Sequence, residues 1–477
     1  MTYIGLNIFC LTFRVASLPA AALRAGDLAL LNQFPLILHV TPILFADYRI
    51  LVLRIHSAAG FMCLSHILLH VLSFIAGRGS FNFNEHLYAY SAAVSTCVLV
   101  LITLPSLRRV AYELFLWIHR LLAIAFTVGV CFHLLNSGKL QFRCFIAYIG
   151  LLAGSALVRL FMAVYRNMKW GEPCTRAIIS DAHGFVHITL SLPRPCEIDA
   201  GQYVLLCIPR VSLLSFAQSH PFVVASWAEV GQNSIELIIQ PRRGFTEKLL
   251  RHCRRQGGQS VQRRAFITGP HGTNVAVNDY RTVLLVASGP GVIAMIPYLR
   301  KVIHDYYYRK GCTRRVHLVW MIQQIELVAA AQPFLNEFLD DDTLGESYIL
   351  SISIYHENGM MEVPWGHRAT LFQGSPDFER LLRQEFEGHF TQTREGNSLT
   401  RSERVLSEFK QETGNVLILV SGIRKLRDDL RHAARPYVEH GHMVVYEGEE
   451  ADPANKPSWG AMTLWDVGNC WVYFKDT

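Results

Sequence analysis

Two apolar stretches, Leu53–Phe74 and Tyr112–Leu135, each carry a pair of histidines fourteen residues apart: His56 and His70 in the first, His119 and His133 in the second. Fourteen residues complete nearly four turns of an α-helix, so both rings of a pair lie on about the same face. At 1.5 Å of rise per residue they sit roughly 21 Å apart along the axis. Two such helices side by side would present two stacked imidazole pairs, one near each face of a membrane. That is a geometry for two bis-histidine haems, because neutral imidazole is a good axial ligand for haem iron. The competing reading is a set of histidines hydrogen-bonded across a helix bundle. Equal spacing in two spans favours the metal reading. His66 lies in the same stretch, but its counterpart on the other helix is Gly129, so it reads as a packing or supporting residue. His86 falls in an outer loop and carries no specific expectation. Gly60, one turn from His56, would let a flat macrocycle approach the backbone.

The apolar excess is uneven. Hydrophobic residues make up 51% of the chain and charged ones only 17%, with a mean hydropathy of +0.22. That is more apolar than a soluble protein of this length usually is, and the excess lies in the first third. Six apolar stretches approach the ~20 residues needed to cross a bilayer: Tyr3–Ala22, Leu28–Phe45, Leu53–Phe74, Leu87–Leu104, Tyr112–Leu135 and Phe142–Val164. Arg14 interrupts the first, which is expected to serve as the insertion signal. Arg49 and Arg54, Arg108 and Arg109, and Arg166 and Lys169 follow alternate spans, so they mark one side as cytoplasmic. Arg24, Arg78, Lys139 and Arg143 on the other side weaken this bias without reversing it. The net charge of +7 thus reads as topology, and no nucleic-acid partner is expected. The 11 cysteines show no C-x-x-C pair, so neither a disulfide nor a zinc framework is visible.

After Trp170 the texture changes. Ala177–Ile179, Val186–Leu190, Tyr203–Ile208 and Ile235–Ile239 are short β-rich runs punctuated by Gly, Pro and Asp, which suits an antiparallel barrel. From Thr282 the pattern becomes strand, glycine turn, helix. Val283–Ala287 is a buried-type strand, Ser288-Gly289-Pro290-Gly291 a tight turn, and Ile293–Ile303 a helix. Arg315–Met321 and Val416–Val420 begin further strand units, the latter followed by Ser421-Gly422 and a helix from Leu426. Such repeats imply a parallel sheet with ligands at the carboxyl ends of its strands. A glycine turn opening a helix is a usable pyrophosphate site. The stretch Gly388–Gly414 is polar and reads as a surface insertion.

Several motifs together resemble the fungal ferric reductase family, a branch of the group that includes NADPH oxidases, over most of the chain. Arg24-Ala-Gly-Asp-Leu-Ala-Leu-Leu-Asn32 resembles its early membrane signature, and Tyr112-Glu-Leu-Phe-Leu-Trp-Ile-His119 the run into its second histidine pair. Equal spacing in both pairs is like that of ferric reductases, whereas NADPH oxidases usually shorten one pair. Gly201-Gln202-Tyr203 resembles a family strand, and His220-Pro221-Phe222 the start of its flavin motif. Gly244-Phe245-Thr246 resembles the flavin pyrophosphate site, where backbone N–H groups and a hydroxyl would meet the phosphates. Gly269-Pro270-His271-Gly272 resembles the turn linking to the nucleotide domain, and Ser288-Gly289-Pro290-Gly291-Val292 the glycine-rich NADPH loop. There are departures. Val223 stands where a hydroxyl facing flavin N5 is expected. Ser288 replaces a glycine, Ser421-Gly422-Ile423 stands for Cys-Gly-Pro, and Gln323 occupies a position where a basic residue is common. Trp459 is a candidate for the late aromatic that covers the flavin; Trp465 and Trp471 beyond it match nothing familiar.

The resemblance implies a multipass α-helical membrane domain with a bis-histidine haem bundle (1–168), a ferredoxin-reductase-like β-barrel FAD domain (172–275) and an α/β NAD(P)-binding domain (280–477). His56 with His119, and His70 with His133, would hold two b-type haems. Gln202, Tyr203, His220, Pro221, Phe222, Val223, Gly244, Phe245, Thr246 and Gly269 would face FAD. Ser288, Gly289, Gly291, Val292, Ser421 and Gly422 would face NADPH. No single catalytic side chain is assigned. The implied enzyme is a plasma-membrane ferric-chelate reductase with cytoplasmic FAD and NADPH domains. It would pass electrons to extracellular Fe(III) in chelates or siderophores, with Cu(II) as a second acceptor. The alternatives are a superoxide-generating NADPH oxidase and a degenerate, non-catalytic membrane homologue.

Overall fold

The computed structural model describes residues 2–15, 17–38, 49–78, 87–103, 112–135, 139–209, 211, 215, 218–242, 244–256, 259–272, 274–323, 326–342, 348–357, 363–364, 368–387, 415–438 and 443–449. Arg108, Arg109, His86, the polar stretch Gly388–Gly414 and the tail containing Trp459, Trp465 and Trp471 lie outside the described residues. The chain divides into two compact units at Val164 and Tyr165.

The first unit is helical: α1 Thr2–Thr12, α2 Leu18–Leu31, α3 Phe34–Leu38, α4 Arg49–Arg78, α5 Leu87–Ile102, α6 Tyr112–Leu135 and α7 Lys139–Asn167. Tyr3–Ala22 is not one span. The helix breaks at Arg14, whose φ is 54°, a left-handed conformation that ends helices. A new helix starts behind Ser17, whose Oγ accepts the Ala20 N–H, with proline in the first turn; both are helix-start features. The expected second span is also divided, because α2 ends at Leu31 and α3 resumes at Phe34; residues 39–45 lie outside the described residues. Among the described residues, three helices are long and apolar enough to cross a bilayer, through Arg54–Ala76, Leu114–Leu135 and Leu140–Asn167. α5 has 16 residues and is shorter than that. Large apolar side chains point outward: Leu23 and Leu140 are 69% exposed and Phe161 67%. A water-soluble bundle would hide them, whereas a lipid-facing one would not. Inside, Ala29, Cys63, Ala92, Phe126, Val130 and Phe145 make the bundle core. α5 packs closely on α6 because Gly129 has no Cβ; one there would meet Ser91 Oγ at 2.7 Å. Small residues serve this purpose where helices associate in lipid.

The second unit begins with an antiparallel barrel. Its strands are β1 Arg176–Ala182, β2 Phe185–Cys196, β3 Tyr203–Cys207, β4 His220–Val223, β5 Gln232–Ile239, β6 Val261–Arg264 and β7 Phe266–His271. They form two sheets, ordered β5-β2-β1-β6 and β4-β3-β7. Alternate residues of β1 and β2, including Ile179, Ile188 and Leu190, point into one apolar core, as the period-2 pattern requires. Helix α8, Phe245–Arg255, closes that core with Leu249 and Cys253.

A doubly wound sheet follows: β8 Thr282–Ser288, β9 Arg315–Ile322, β10 Leu350–His356, β11 Val363–Pro364, β12 Ala369–Gln373, β13 Val416–Gly422 and β14 Met443–Glu449. The order is β11-β12-β10-β9-β8-β13-β14, parallel except for β11. β8 and β13 are buried on both faces, which explains their unbroken apolar runs. Val283, Leu285 and Ala287 face helices α9, Val292–Tyr307, and α10, Glu326–Asp341. Leu284 and Val286 face α11, Phe378–Glu387, and α12, Arg424–Val438.

One buried charge cluster lies between β9 and α11. Glu385 accepts from Arg315 Nη2 at 3.1 Å and lies 2.6 Å from His317 Nδ1, and the other nitrogen of His317 is 2.8 Å from Ser353 Oγ. Burial pushes the Glu385 carboxyl up, but Arg315 and His317 outweigh it and hold it below the ordinary range. A depressed carboxylate stabilises the fold above its unfolded value, about 4.3. That contribution is lost as pH falls through the lower folded value. Glu385→Gln removes the counter-charge of the buried Arg315 guanidinium, so we expect a loss of about 3 kcal/mol. Thermal melts of the full chain in detergent should show it near neutral pH. The gap to the unaltered protein should narrow as the medium becomes strongly acidic.

Candidate functional site

The structure brings the four membrane histidines together in pairs. The ring centres of His56 and His119 are 6.3 Å apart, and those of His70 and His133 6.5 Å. Because the earlier histidine of α4 meets the earlier one of α6, the two helices run parallel, with α5 returning between them. α5 packs on both, whereas α4 and α6 are not in extensive contact with each other. The α4 rings are steadied from behind: His56 meets the backbone of Leu36 in α3, and His70 Nδ1 lies 2.8 Å from the Ala22 carbonyl in α2. His66 turns away from both pairs. It bonds Asn7 at 3.2 Å, and Asn7 also accepts from Asn32 at 2.7 Å. His66 is therefore part of the buried polar packing between α1, α2 and α4. Among the described residues no cluster of three or more metal-ligating side chains occurs.

In the barrel, four separated motifs converge. β4 pairs antiparallel with β3, setting Tyr203 opposite Val223 and Val204 opposite Phe222. β7 flanks β3 on its other side, with His271 opposite Tyr203. His220 stacks on Phe245 at the head of α8, ring centres 4.5 Å apart and 13° from parallel. Gly244 precedes that helix with φ 96°, a conformation that favours glycine. Two expectations shift. The Thr246 hydroxyl accepts from the Arg242 N–H at 2.8 Å and donates to the Arg242 carbonyl at 2.9 Å. Its only proton is spent, so anion contact there falls to backbone N–H groups. Gln202 is a brace: its Oε1 accepts the Asp199 N–H at 2.9 Å and its Nε2 donates to Gly272 at 3.1 Å. Gly269 keeps a Cβ from the Tyr203 carbonyl, which it would meet at 3.2 Å.

Ser288, Gly289, Gly291, Val292, Ser421 and Gly422 also meet. The chain winds outward from β8 to β12 and returns at β13, so the strand order reverses between β8 and β13. In doubly wound sheets the crevice at such a reversal is where ligands bind. Ser288 ends β8 and Gly422 ends β13. A Cβ on Gly291 would lie 2.3 Å from the Ser421 carbonyl oxygen, and one on Gly422 2.2 Å from Ser288 Oγ. Ser288 earns its place by accepting the Ile423 N–H at 3.0 Å. Trp320, fully buried in β9, donates its indole N–H to the Gly289 carbonyl at 2.8 Å. Gln323 lies just past β9 and is exposed.

Asp199 is a hub that no sequence motif announces. Asp199 accepts from Lys301 Nζ at 2.6 Å, Trp227 Nε1 at 3.2 Å, its neighbour Ala200 N–H at 2.8 Å, and Asn274 Nδ2. Burial pushes its carboxyl up, but the bonds from Lys301, Asn274 and Ala200 hold it below the ordinary range. The hub pins the barrel to α9. An Asp-Ala-Gly-Gln turn gives no hint of partners so distant in sequence.

Three family models match in series: "ferric reductase like transmembrane component" over residues 24–130, "FAD-binding domain" over 175–275 and "ferric reductase NAD binding domain" over 280–435. The chain belongs to the ferric reductase family. A probable cell surface ferric reductase of Aspergillus oryzae is 28% identical over 303 residues, covering 57% of this chain and 39% of that one. Ferric/cupric reductase transmembrane component 2 of Saccharomyces cerevisiae is 25% identical over 315 residues, covering 62% and 42%. Ferric reduction oxidase 4 of Arabidopsis thaliana is 24% identical over 203 residues, covering 42% and 27%. This ferric reductase homologue thus spans well under half the length of the curated relatives it matches. It is a membrane protein whose helical domain precedes FAD-binding and NAD-binding domains.

Proposed function

We propose that the chain is a plasma-membrane ferric-chelate reductase. In this reading it moves electrons from cytoplasmic NADPH, through FAD and two b-type haems, to extracellular Fe(III) held in chelates or siderophores. Cu(II) is a second acceptor. The observation that carries the reading is the separation of the imidazole pairs. With metal–imidazole bonds of about 2 Å and the ring centre behind each nitrogen, one iron between two rings places their centres about 6 Å apart. Both pairs meet that requirement. Among the described residues each offers two protein ligands and no third, which suits an iron whose remaining ligands come from a porphyrin. When bound, nicotinamide supplies hydride, flavin splits the electron pair, and haem relays single electrons. The basic residues that follow alternate apolar stretches of the sequence support a cytoplasmic side for the reductase domains.

The protein's own residues then have distinct tasks. His56 with His119, and His70 with His133, hold the two relay sites along parallel helices. The Gly289–Gly291 turn lets a dinucleotide phosphate approach the start of α9, where backbone N–H groups favour an anion. Trp320 and Ser288 fix the two loops of that crevice. Tyr203, His220, Phe222, Val223 and the Gly244–Thr246 turn, with Gly269 and Pro221 shaping the backbone, form the surface for the flavin. The Asp199 hub and the surrounding apolar residues hold that surface against the nucleotide fold.

The test is NADPH-dependent reduction of a ferric chelate by membranes containing the protein, paired with a haem difference spectrum. Fe(II) production with a b-type spectrum is expected. Superoxide without Fe(II) would overturn the acceptor, and the absence of haem would overturn the relay. Val223 offers a narrower check. Threonine fills the same space and restores a hydroxyl, and one hydrogen bond is worth about 0.5–1.5 kcal/mol. Val223→Thr should therefore tighten FAD binding or speed flavin reduction by about 2–10-fold. An unchanged flavin titration and reduction rate would show that the hydroxyl has no role here.

A further inference from the structure

The early membrane motif Arg24–Asn32 has so far been given no task, and its place in the fold supplies one. It forms most of α2, which packs along α4. Ala22, one turn earlier on the same helix, offers its carbonyl to His70 Nδ1 at 2.8 Å. A carbonyl only accepts, so Nδ1 carries the proton and the lone pair of Nε2 is left for a metal. Gly26, one turn later, backs the same ring. A Cβ at Gly26 would lie 3.2 Å from His70 Nδ1 and 3.3 Å from Cε1. The imidazole is thus bonded at one atom and wedged at its edge by a bare backbone. In the other relay pair the α4 ring, His56, meets the backbone of Leu36 in α3, while the Nδ1 of His119, on α6, is buried and has no hydrogen-bond partner among the described residues.

We propose that α2 is the positioning element of the His70/His133 relay site, with the Ala22 carbonyl and the bare Gly26 backbone setting that site's redox potential. The inference rests on the haem reading above. A carbonyl behind the far nitrogen fixes the ring's tautomer and orientation and strengthens its donation to the metal. Stronger donation favours the ferric state, which keeps the potential of that site low. With the reductase domains on the cytoplasmic side, as proposed, His70 and His133 lie toward the outer ends of their spans, and a low potential at this last relay site favours onward transfer to an acceptor. Any side chain at position 26 crowds the ring away from the carbonyl, so glycine is required for this contact and not merely for close helix packing.

The test is a redox titration of the haem absorbance, with the electron paramagnetic resonance spectrum of the ferric form, on the full chain in detergent. Gly26→Ala and Gly26→Val are compared with the unaltered protein. The expected result is an upward shift of one of the two haem midpoints and a change in one low-spin signal, the other midpoint and signal being unmoved. The shift should be larger for Val than for Ala. If Val prevents folding, Ala alone decides. Two unchanged midpoints in a haem-loaded Gly26→Ala protein would overturn the proposal, as would both midpoints moving together, which is what general loosening of the bundle would give. Absence of haem from the unaltered protein would overturn the haem reading and this inference with it. Unchanged midpoints overturn this inference alone.

Discussion

Replacing His70 or His133 with alanine is expected to abolish NADPH-driven reduction of an extracellular ferric chelate and to remove one of two b-type haem signals. The ring centres of this pair are 6.5 Å apart, so in the proposed relay each imidazole would be half of a two-point hold. Methyl groups cannot replace it, because alanine offers no lone pair. The neighbouring pair, His56 and His119, belongs to a separate site at the other end of the same helices. Its haem signal should persist, as should flavin reduction by NADPH. An artificial acceptor that takes electrons directly from reduced flavin should therefore still be served at an undiminished rate. Retention of both haem signals and of ferric reduction in either variant would break the assignment. His66→Ala is the matched comparison. His66 bonds Asn7 and faces neither pair, so its loss should lower stability and leave both haem signals present.

The second large effect is expected at Gly291, and there the losses should be reversed. A Cβ at Gly291 would lie 2.3 Å from the Ser421 carbonyl oxygen and 2.8 Å from its carbon. Neither atom belongs to a flexible side chain, so β8 and β13 must part to admit it. Overpacking of this kind costs about 1–3 kcal/mol. Taken out of nucleotide binding, that is about a 5–150-fold rise in the KM for NADPH. Gly291→Ala should keep both haem signals and should still be reduced by dithionite, which bypasses the crevice. Normal NADPH kinetics in this variant would mean that the nucleotide does not use the crevice between Ser288 and Gly422. Together the two substitutions separate the input end of the proposed chain from its output end.

The helical period carried much of this in the sequence. Fourteen residues between histidines is a local, one-dimensional statement, and helices keep such promises because each turn repeats the last. The β8 and β13 strands were equally visible, since a strand buried on both faces has nowhere to put a polar residue. The barrel motifs were legible only as four separate fragments. Their convergence depends on β3 lying between β4 and β7, a pairing over long sequence distances that no local pattern states. The break at Arg14 was half visible: the charge was plain, but not its left-handed backbone or the restart at Ser17. Ser288 read as a departure from glycine and is in fact a bridge to Ile423. Thr246 read as a phosphate ligand, yet its proton is spent on Arg242. Asp199 was invisible because its partners come from a loop and a helix far along the chain. Hydroxyls and carboxylates declare what they can bond, not which bond the fold will give them.

The barrel and the nucleotide sheet share one seam. Phe185, Ala200 and Ala225 from the first lie in the same buried cluster as Tyr298, Leu299 and Val302 from the second, with Asp199 and Lys301 at its edge. Domains joined by a thin polar contact can open and melt separately, but these two cannot separate without exposing a common interior. They should therefore behave as a single cooperative block in which local openings are confined to the loops. A lesion deep in the nucleotide sheet would then be felt as loss of flavin as well. Conversely, a ligand that stabilises either half protects the other against heat and proteolysis.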